Sequence, residues 1–306
     1  MQHLRMSRRG FTMVELLIAL VLLGLVSAAL YRVLVNNQRL YMAQTQRIDL
    51  SQNIRAATNI LPAEFRELDA FDGDILAMSA TSIQIRAMRW LSFVCVQPGL
   101  PGAFTMTIRG GVPGQPMYFG ARSPNATDGL LIYLDGDPTT RTDDYWVNAP
   151  IAAMGAAGGA TCPAAGAVTA AQQPATSITF NGAAAGAFIA GTNVANAIPI
   201  GAPVRGYETV TYQIYQPAGD TLWYIGFQPA GGTMQPLIGP IIANGLSFSY
   251  FNATGAVTAT RTQVARIDIT VRARTTSAVR RGGQAAAAVI VDSISTSVAL
   301  RNNRRF

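Results

Sequence analysis

The chain has 306 residues, of which 49% are hydrophobic and 13% are charged, and its formal net charge is +7. Every one of its 23 basic residues is an arginine, and its single histidine, His3, lies in the first ten residues together with Arg5, Arg8 and Arg9. Without those ten residues the chain has neither histidine nor lysine and a net charge of +4. That composition excludes Ser–His–Asp and Cys–His nucleophile systems, Schiff-base lysines and His-ligated zinc. Catalysis by a pair of carboxylates stays possible, but no spacing in the sequence singles out such a pair, and we predict that the protein is not an enzyme. We also predict that its remaining positive charge belongs to a solvated surface rather than to a nucleic-acid-binding face.

The first element along the chain is an apolar segment that follows the basic N-terminus. It runs for 20 residues from Phe11 to Leu30, a length that crosses a bilayer as a helix. The arginines before it favour a cytoplasmic N-terminus and export of everything that follows. An ordinary secretory signal is the rival interpretation, and Val26-Ser27-Ala28 offers it a cleavage site. Two features oppose it: the helical pattern continues past Ala28, and Glu15 lies inside the apolar segment, where a carboxylate costs about 2.5–3.5 kcal/mol near a helix centre.

The motif Gly10-Phe11-Thr12-x-x-Glu15 ahead of an apolar helix resembles the type IV prepilin signal. The resemblance implies that residues 1–10 are a leader peptide, that prepilin peptidase cuts between Gly10 and Phe11, and that Phe11 is then N-methylated. It also implies that Glu15 pairs with the N-terminal amine of a neighbouring subunit during assembly. This pairing is physically reasonable, because two opposite charges buried together in a helical bundle cost less than either charge alone.

Helical sequence continues beyond the apolar segment. Apolar residues recur on one helical face, at Leu30, Leu34, Tyr41 and Ile48. Good helix formers extend to Leu61, after which Pro62 marks a break or kink. We therefore predict one helix over residues 11–61, about 75 Å long at ~1.5 Å per residue. Its residues 11–30 form the transmembrane half, and the remainder packs on a head domain.

Beyond Phe71 the apolar pattern changes to a period of two, which predicts β-strands. Strands are expected at residues 82–86, 104–108, 130–134, 177–180, 209–215, 222–227, 266–272 and 289–300. A Pro-Ala-Gly-Asp turn at residues 217–220 predicts a hairpin. The predicted fold class is therefore α+β, with the long N-terminal helix packed on a mainly antiparallel β head over residues 62–306.

Two cysteines lie in this head, Cys95 and Cys162. Cys162 falls in an insertion of about residues 152–202 that is dominated by alanine and glycine, and that predicts an elaborated loop or irregular structure. Because the chain is expected to be exported, we favour a disulfide between the two, which would tether the insertion. Two unpaired buried thiols are the alternative.

Four carboxylates fall within ten residues, at Asp135, Asp137, Asp143 and Asp144. Calcium takes several hard oxygen ligands from a turn-rich loop, so this cluster is a candidate calcium site. Aspartate and glycine are also ordinary turn residues, and the spacing of an EF-hand is absent from the sequence. We favour turns, and we expect no cofactor apart from this calcium candidate.

Four segments near the C-terminus carry a second resemblance. They are Tyr207–Tyr212, Gly245–Tyr250, Val264–Ile269 and Ser297–Asn302. They resemble the PilW-type minor pilins and the related J-type pseudopilins of type II secretion. The first of these families implies a structural subunit that helps to initiate assembly of a type IV pilus and sits at or near its tip. A J-type minor pseudopilin, and an adhesive or DNA-uptake tip subunit, stay open as alternatives.

The same resemblance implies partners and a location. The partners would be other minor pilins, the major pilin, prepilin peptidase and the assembly platform of the inner membrane. The chain would cross the inner membrane once, with its head in the periplasm, and would then enter a pilus or pseudopilus at the cell surface.

Overall fold

The computed structural model describes residues 11–98, 104–109, 119–120, 122–134, 139, 145–156, 162, 175–180, 198–280 and 286–301. In chain order its elements are α1 (Met13–Arg66), β1 (Ile75–Met78), β2 (Ser82–Val96), β3 (Thr105–Arg109), β4 (Phe119–Gly120), β5 (Gly129–Leu134), β6 (Tyr145–Asn148), β7 (Ile151–Ala156), β8 (Ala175–Phe180), β9 (Pro203–Tyr215), β10 (Trp223–Pro229), β11 (Gln235–Phe251), a 3-10 turn (Arg261–Gln263), β12 (Arg266–Arg274) and β13 (Val291–Ala299).

The chain divides into two compact units. The stem unit contains α1 up to Gln52 together with Arg274–Val291, and the head unit contains Asn53–Ala273 together with the residues from Asp292 onward. Helix α1 therefore contributes to both units, with its last turns belonging to the head.

Helix α1 extends past Leu61, the end predicted from Pro62, and continues to Arg66 with Pro62 inside it. A proline in a helix removes one backbone hydrogen bond and crowds the preceding turn. Leu61 and Phe65, on either side of the proline, are fully buried in the head unit. The free energy gained by burying Leu61 and Phe65 outweighs the cost of Pro62 within the helix. The predicted helix end is therefore corrected from Leu61 to Arg66.

The strands form one large sheet. The order of nine of them is β13-β12-β11-β10-β9-β2-β3-β8-β7, while β1 and β4 pair with β2, β5 pairs with β9, and β6 pairs with β5. From β12 to β7 the neighbours along this path pair antiparallel. At its centre β2 and β9 stay paired from Ser82↔Gln213 to Phe93↔Pro203. A long apolar helix followed by a large antiparallel sheet confirms the predicted α+β fold class.

The predicted strands each overlap a strand of this sheet. The hairpin of β9 and β10 is present, and its turn closes through the N–H of Asp220, which donates to the carbonyl of Pro217 at 3.0 Å. The insertion predicted as irregular contains β7 and β8, and β8 also pairs with β3. Five strands were not predicted, namely β1, β4, β6, β7 and the 17-residue β11.

The last turns of α1 pack on the sheet within the head unit. Their buried residues share one helical face and are Ile54, Ala57, Leu61 and Phe65. The Phe65 ring meets the rings of Tyr212 and Phe248 edge-on, with centroids 5.8 and 5.9 Å apart. Aromatic pairs in this geometry add to the free energy of burial, so this face fixes the end of the helix on the head.

Two glycines let large rings lie against the neighbouring backbone in the sheet. A Cβ at Gly206 would overlap the buried Trp90 ring, and a Cβ at Gly129 would overlap the ring of Tyr207. Trp90 belongs to a second apolar cluster of the head unit, which is built around β2, β3, β5 and β8. Any side chain at Gly206 would therefore displace a core residue.

Candidate assembly site at the helix N-terminus

Thr12 caps the start of α1. The backbone N–H of Glu15 donates to the Thr12 hydroxyl at 3.2 Å, and the N–H of Leu16 donates to the Thr12 carbonyl at 3.2 Å. Thr-x-x-Glu is the spacing of a capping box, in which Glu or Gln occupies the last position. This role of Thr12 was not predicted, although the four-residue pattern is visible in the sequence.

Glu15 therefore lies in the first turn of α1, where a negative charge interacts favourably with the helix dipole. Its carboxylate is exposed and has no hydrogen bond or ion pair with any described residue. Phe11, which would be the first residue after cleavage, is 84% exposed and lies four residues before it. Gly10 lies outside the described residues. The site thus presents one carboxylate without a cationic partner among the described residues.

The apolar surface that follows Glu15 is uncovered. Helix α1 is long and apolar enough to cross a membrane, and none of its most apolar 18-residue window is buried in the chain. Exposed apolar surface costs about 25 cal/mol per Å² in water. This part of α1 therefore needs a covering other than water, which the described residues of the chain do not provide.

Cys95 and Cys162 form a disulfide, with their Cα atoms 5.0 Å apart and both residues buried. Cys95 lies near the end of β2, in the middle of the sheet. The bridge therefore attaches the alanine- and glycine-rich insertion to the sheet at one defined point.

The four aspartates of the calcium candidate, Asp135, Asp137, Asp143 and Asp144, lie outside the described residues. Among the residues that the structure does describe, no group of three or more His, Cys, Asp or Glu side chains could hold a metal ion. The calcium site stays a prediction.

An unpredicted ion-pair cluster joins the end of α1 to the sheet. Arg89 on β2 donates from Nη1 to Glu64 Oε1 at 2.9 Å and from Nε to Glu208 Oε2 at 3.0 Å. Burial alone would lower the pKa of the Arg89 guanidinium, but the charges and hydrogen bonds of Glu64 and Glu208 raise it overall. No local signal identifies this cluster, because its partners are 25 and 119 residues away in sequence.

A second set of polar contacts surrounds the buried Asp128. Arg122 donates to it from two guanidinium nitrogens, and the indole N–H of Trp90 donates to Oδ2 at 2.8 Å. The hydrogen bond to Asp128 raises the pKa of the Arg122 guanidinium against the opposing effect of burial. Both charged groups, the Asp128 carboxylate and the Arg122 guanidinium, are hydrogen-bonded to protein groups, which is typical of a cluster with a structural role.

The comparisons with known proteins agree with the first of these sites. Residues 5–31 match the family model described as the prokaryotic N-terminal methylation motif, which covers under a tenth of the chain. No similar curated protein and no similar solved structure was found. The matched segment contains Phe11, Thr12, Glu15 and the uncovered apolar helix. It implies processing by prepilin peptidase, and together with that helix it supports a type IV pilin-like protein that is anchored in a membrane and assembles with pilus components.

Proposed function

We propose that this chain is a minor pilin that helps to initiate assembly of a type IV pilus and sits at or near its tip. The observation that carries the proposal is the methylation motif at the start of a helix whose apolar surface the described residues leave uncovered. Lipid can cover such a helix before assembly, and the helices of other subunits can cover it afterwards. A structural role is therefore preferred over a catalytic one.

The proposed topology is a single crossing of the inner membrane with a periplasmic head. Three arginines, Arg5, Arg8 and Arg9, precede the apolar segment, and positive charge favours the cytoplasmic side. Cleavage between Gly10 and Phe11 would then occur at the cytoplasmic surface. A bridge between Cys95 and Cys162 suits a head that folds outside the reducing cytoplasm.

The choice of a tip-proximal minor pilin rests on the C-terminal segments that resemble the PilW-type proteins. Those segments overlap β9, β11, β12 and β13, and these strands occupy one side of the sheet together with β10. The expected partners are other minor pilins, the major pilin and the assembly platform. The related J-type pseudopilins share these segments, so a secretion pseudopilus is the outcome that the experiment below must separate.

The charge of Glu15 is the chemical element of this proposal. A carboxylate that enters a lipid-embedded bundle is costly unless a cation approaches it. The N-terminal amine of Phe11 in a neighbouring subunit is the cation that cleavage would create. Pairing of the two would hold a new subunit at a defined axial position.

Glu15→Gln tests this role without disturbing the helix cap. Glutamine also serves at the last position of a capping box, so the variant removes the charge and keeps the start of α1. We expect the variant to be cut, methylated and retained in membranes, while filaments on the surface are absent or strongly reduced. Mass spectrometry of the N-terminus, immunoblots of membranes and electron microscopy of cells lacking the native copy provide the three readouts.

Asp49→Asn is the matched control, because Asp49 is an exposed carboxylate on the same helix beyond the apolar segment. It should leave processing and filaments unchanged. Normal filaments together with normal protein secretion in the Glu15→Gln variant would contradict the pairing role. Normal filaments combined with loss of protein secretion would instead identify a J-type pseudopilin.

A further inference from the structure

The segment of residues 67–74 joins the end of α1 to β1 inside the head unit, and two aspartates close it into a loop. The backbone N–H of Asp74 donates to the carbonyl of Asp69 at 3.0 Å. In return, the N–H of Asp69 donates to Oδ2 of Asp74 at 2.9 Å. The carbonyl of Asp74 also accepts the N–H of Arg86 on β2 at 2.8 Å. Asp74 therefore holds the loop closed and attaches it to the sheet.

The two carboxylates of this loop differ in their partners. Oδ1 of Asp69 accepts the N–H groups of Phe71 and Asp72 at 3.0 and 3.2 Å. Asp74 is 1% exposed, and its Oδ1 has no hydrogen-bond partner among the described residues. A buried oxygen without a partner costs much more free energy in an ionised group than in a neutral one. The closed loop therefore favours the protonated form of Asp74.

Burial dominates the electrostatics of Asp74 and raises its pKa from 3.8 to about 6. The hydrogen bond from the N–H of Asp69 opposes this rise in pKa, and so do the charges of Arg86 on β2 and Arg205 on β9. The charge of Asp69 adds to the effect of burial. Neither of these two described arginines forms an ion pair with Asp74. No cation therefore compensates directly for a negative charge at this position.

Opening of the loop would place Asp74 in water, where its carboxyl group has an ordinary pKa of 3.8. The closed loop therefore binds the proton more tightly than the open loop does. From pH 4 to 6 the ratio of open to closed loop should increase about tenfold per pH unit, because only the closed loop retains the proton. Above pH 6 both forms are ionised, and the ratio should level off on the order of 100-fold above its value in acid.

We propose that the loop of residues 67–74 is a pH-sensitive latch, which protonated Asp74 keeps closed in acid and which opens locally when Asp74 loses its proton. The latch acts where the chain passes from α1 to the sheet, between the buried residues Phe65 and Ile75. Acid thus strengthens the connection between the end of the helix and β1. The inference concerns a local opening within the head unit and does not depend on the proposed role in pili.

Hydrogen–deuterium exchange of the full chain in detergent, followed by mass spectrometry, tests the latch. Protection factors are measured between pH 4 and 7.5 and corrected for the intrinsic pH dependence of amide exchange. The loop amides of Asp69 and Asp74 and the amide of Arg86 should lose protection on the order of 100-fold between pH 4 and 7. Peptides from β10 and β11 should keep their protection, because a local opening does not expose them.

Asp74→Asn is the decisive variant, because its side-chain oxygen still accepts the N–H of Asp69 while the group no longer titrates. Loop protection in this variant should be independent of pH, whatever its absolute level. Asp72→Asn is the matched control, since it removes a partly exposed carboxylate from the same loop. It should keep the pH dependence of the unmodified chain.

Equal loop protection at pH 4 and 7 would overturn the proposal, as would a pH dependence that persists in Asp74→Asn or disappears in Asp72→Asn. A parallel loss of protection in β10 and β11 would show cooperative unfolding of the head and would also overturn the latch. The unmodified chain is sufficient if Asp74→Asn does not fold. Its protection must then level off near pH 6, and a change that is complete by pH 4 or that continues above pH 7 assigns the effect to another group.

Discussion

Replacement of Arg89 tests whether the ion-pair cluster holds the end of α1 on the sheet. The Arg89 side chain is 11% exposed, and those of its partners Glu64 and Glu208 are 23% and 26% exposed. Arg89→Met keeps most of the volume of the side chain but leaves two half-buried carboxylates without their shared cation.

The expected loss of stability follows from this exposure. Removal of one partner of a buried ion pair costs about 3–5 kcal/mol, and the partial exposure of both carboxylates places the cost at the lower end, about 3 kcal/mol. Arg122 compensates little, because its guanidinium is 3.8 Å from Glu208 and already binds Asp128. The melting temperature of the head should fall by roughly 6–12 °C.

The triple variant Arg89→Met, Glu64→Gln, Glu208→Gln separates electrostatics from packing. It removes all three charges, and apolar or neutral replacements of a buried cluster are often close to neutral. We therefore expect it to recover most of the stability lost in Arg89→Met. Thermal unfolding of the full chain in detergent, followed by near-ultraviolet circular dichroism, measures both variants, and Arg272→Met provides an exposed arginine as control.

Two results would refute this reasoning. Arg89→Met could unfold within 1 °C of the unmodified chain, in which case the cluster contributes nothing. Alternatively, the triple variant could be as unstable as Arg89→Met, in which case the aliphatic part of Arg89 rather than its charge holds the helix.

Two further predictions concern the head. Reduction of the bridge between Cys95 and Cys162, which are separated by 67 residues, should lower the free energy of unfolding by up to about 4 kcal/mol by the chain-entropy relation; two thiols that react in the denatured, unreduced protein would contradict the bridge. Burial raises the pKa of Asp74 from 3.8 to about 6, so the folded state binds its proton more tightly than the unfolded state. The contribution of Asp74 to stability should therefore decrease as the pH rises from 4 to 6, by at most about 3 kcal/mol. Asp74→Asn should flatten this part of the pH profile of urea unfolding, and an unchanged profile would assign it to other groups.

Much of the architecture is visible in the sequence because periodicity reports which face of an element is buried. The alternation in Ser82–Arg86 and Arg266–Arg272 gave the strands β2 and β12 with the correct side facing the core. The same reasoning failed at Pro62, where a local rule ended the helix too early. Phe65 and its contacts with Tyr212 and Phe248 decide that point, and those partners are distant in the sequence.

The candidate assembly site could be predicted from the sequence, whereas contacts between distant segments could not. Phe11 and Glu15 belong to a short motif that is recognised from neighbouring residues alone. The helix cap by Thr12 could also have been predicted, from the four-residue pattern Thr12-x-x-Glu15. Gln46 and Thr276 carry no such signal, because their hydrogen bond spans 230 residues.

The sequence by itself determined the apolar helix, its processing motif and the β-rich head, since each depends on the order of neighbouring residues and on hydrophobic period. The tertiary structure alone decided where α1 ends, which carboxylates bind Arg89, and which backbone N–H binds the side chain of Gln46. These features depend on which surfaces meet in the folded chain. Many residues from both surfaces contribute together to the free energy of each contact, so no short segment of the sequence specifies it.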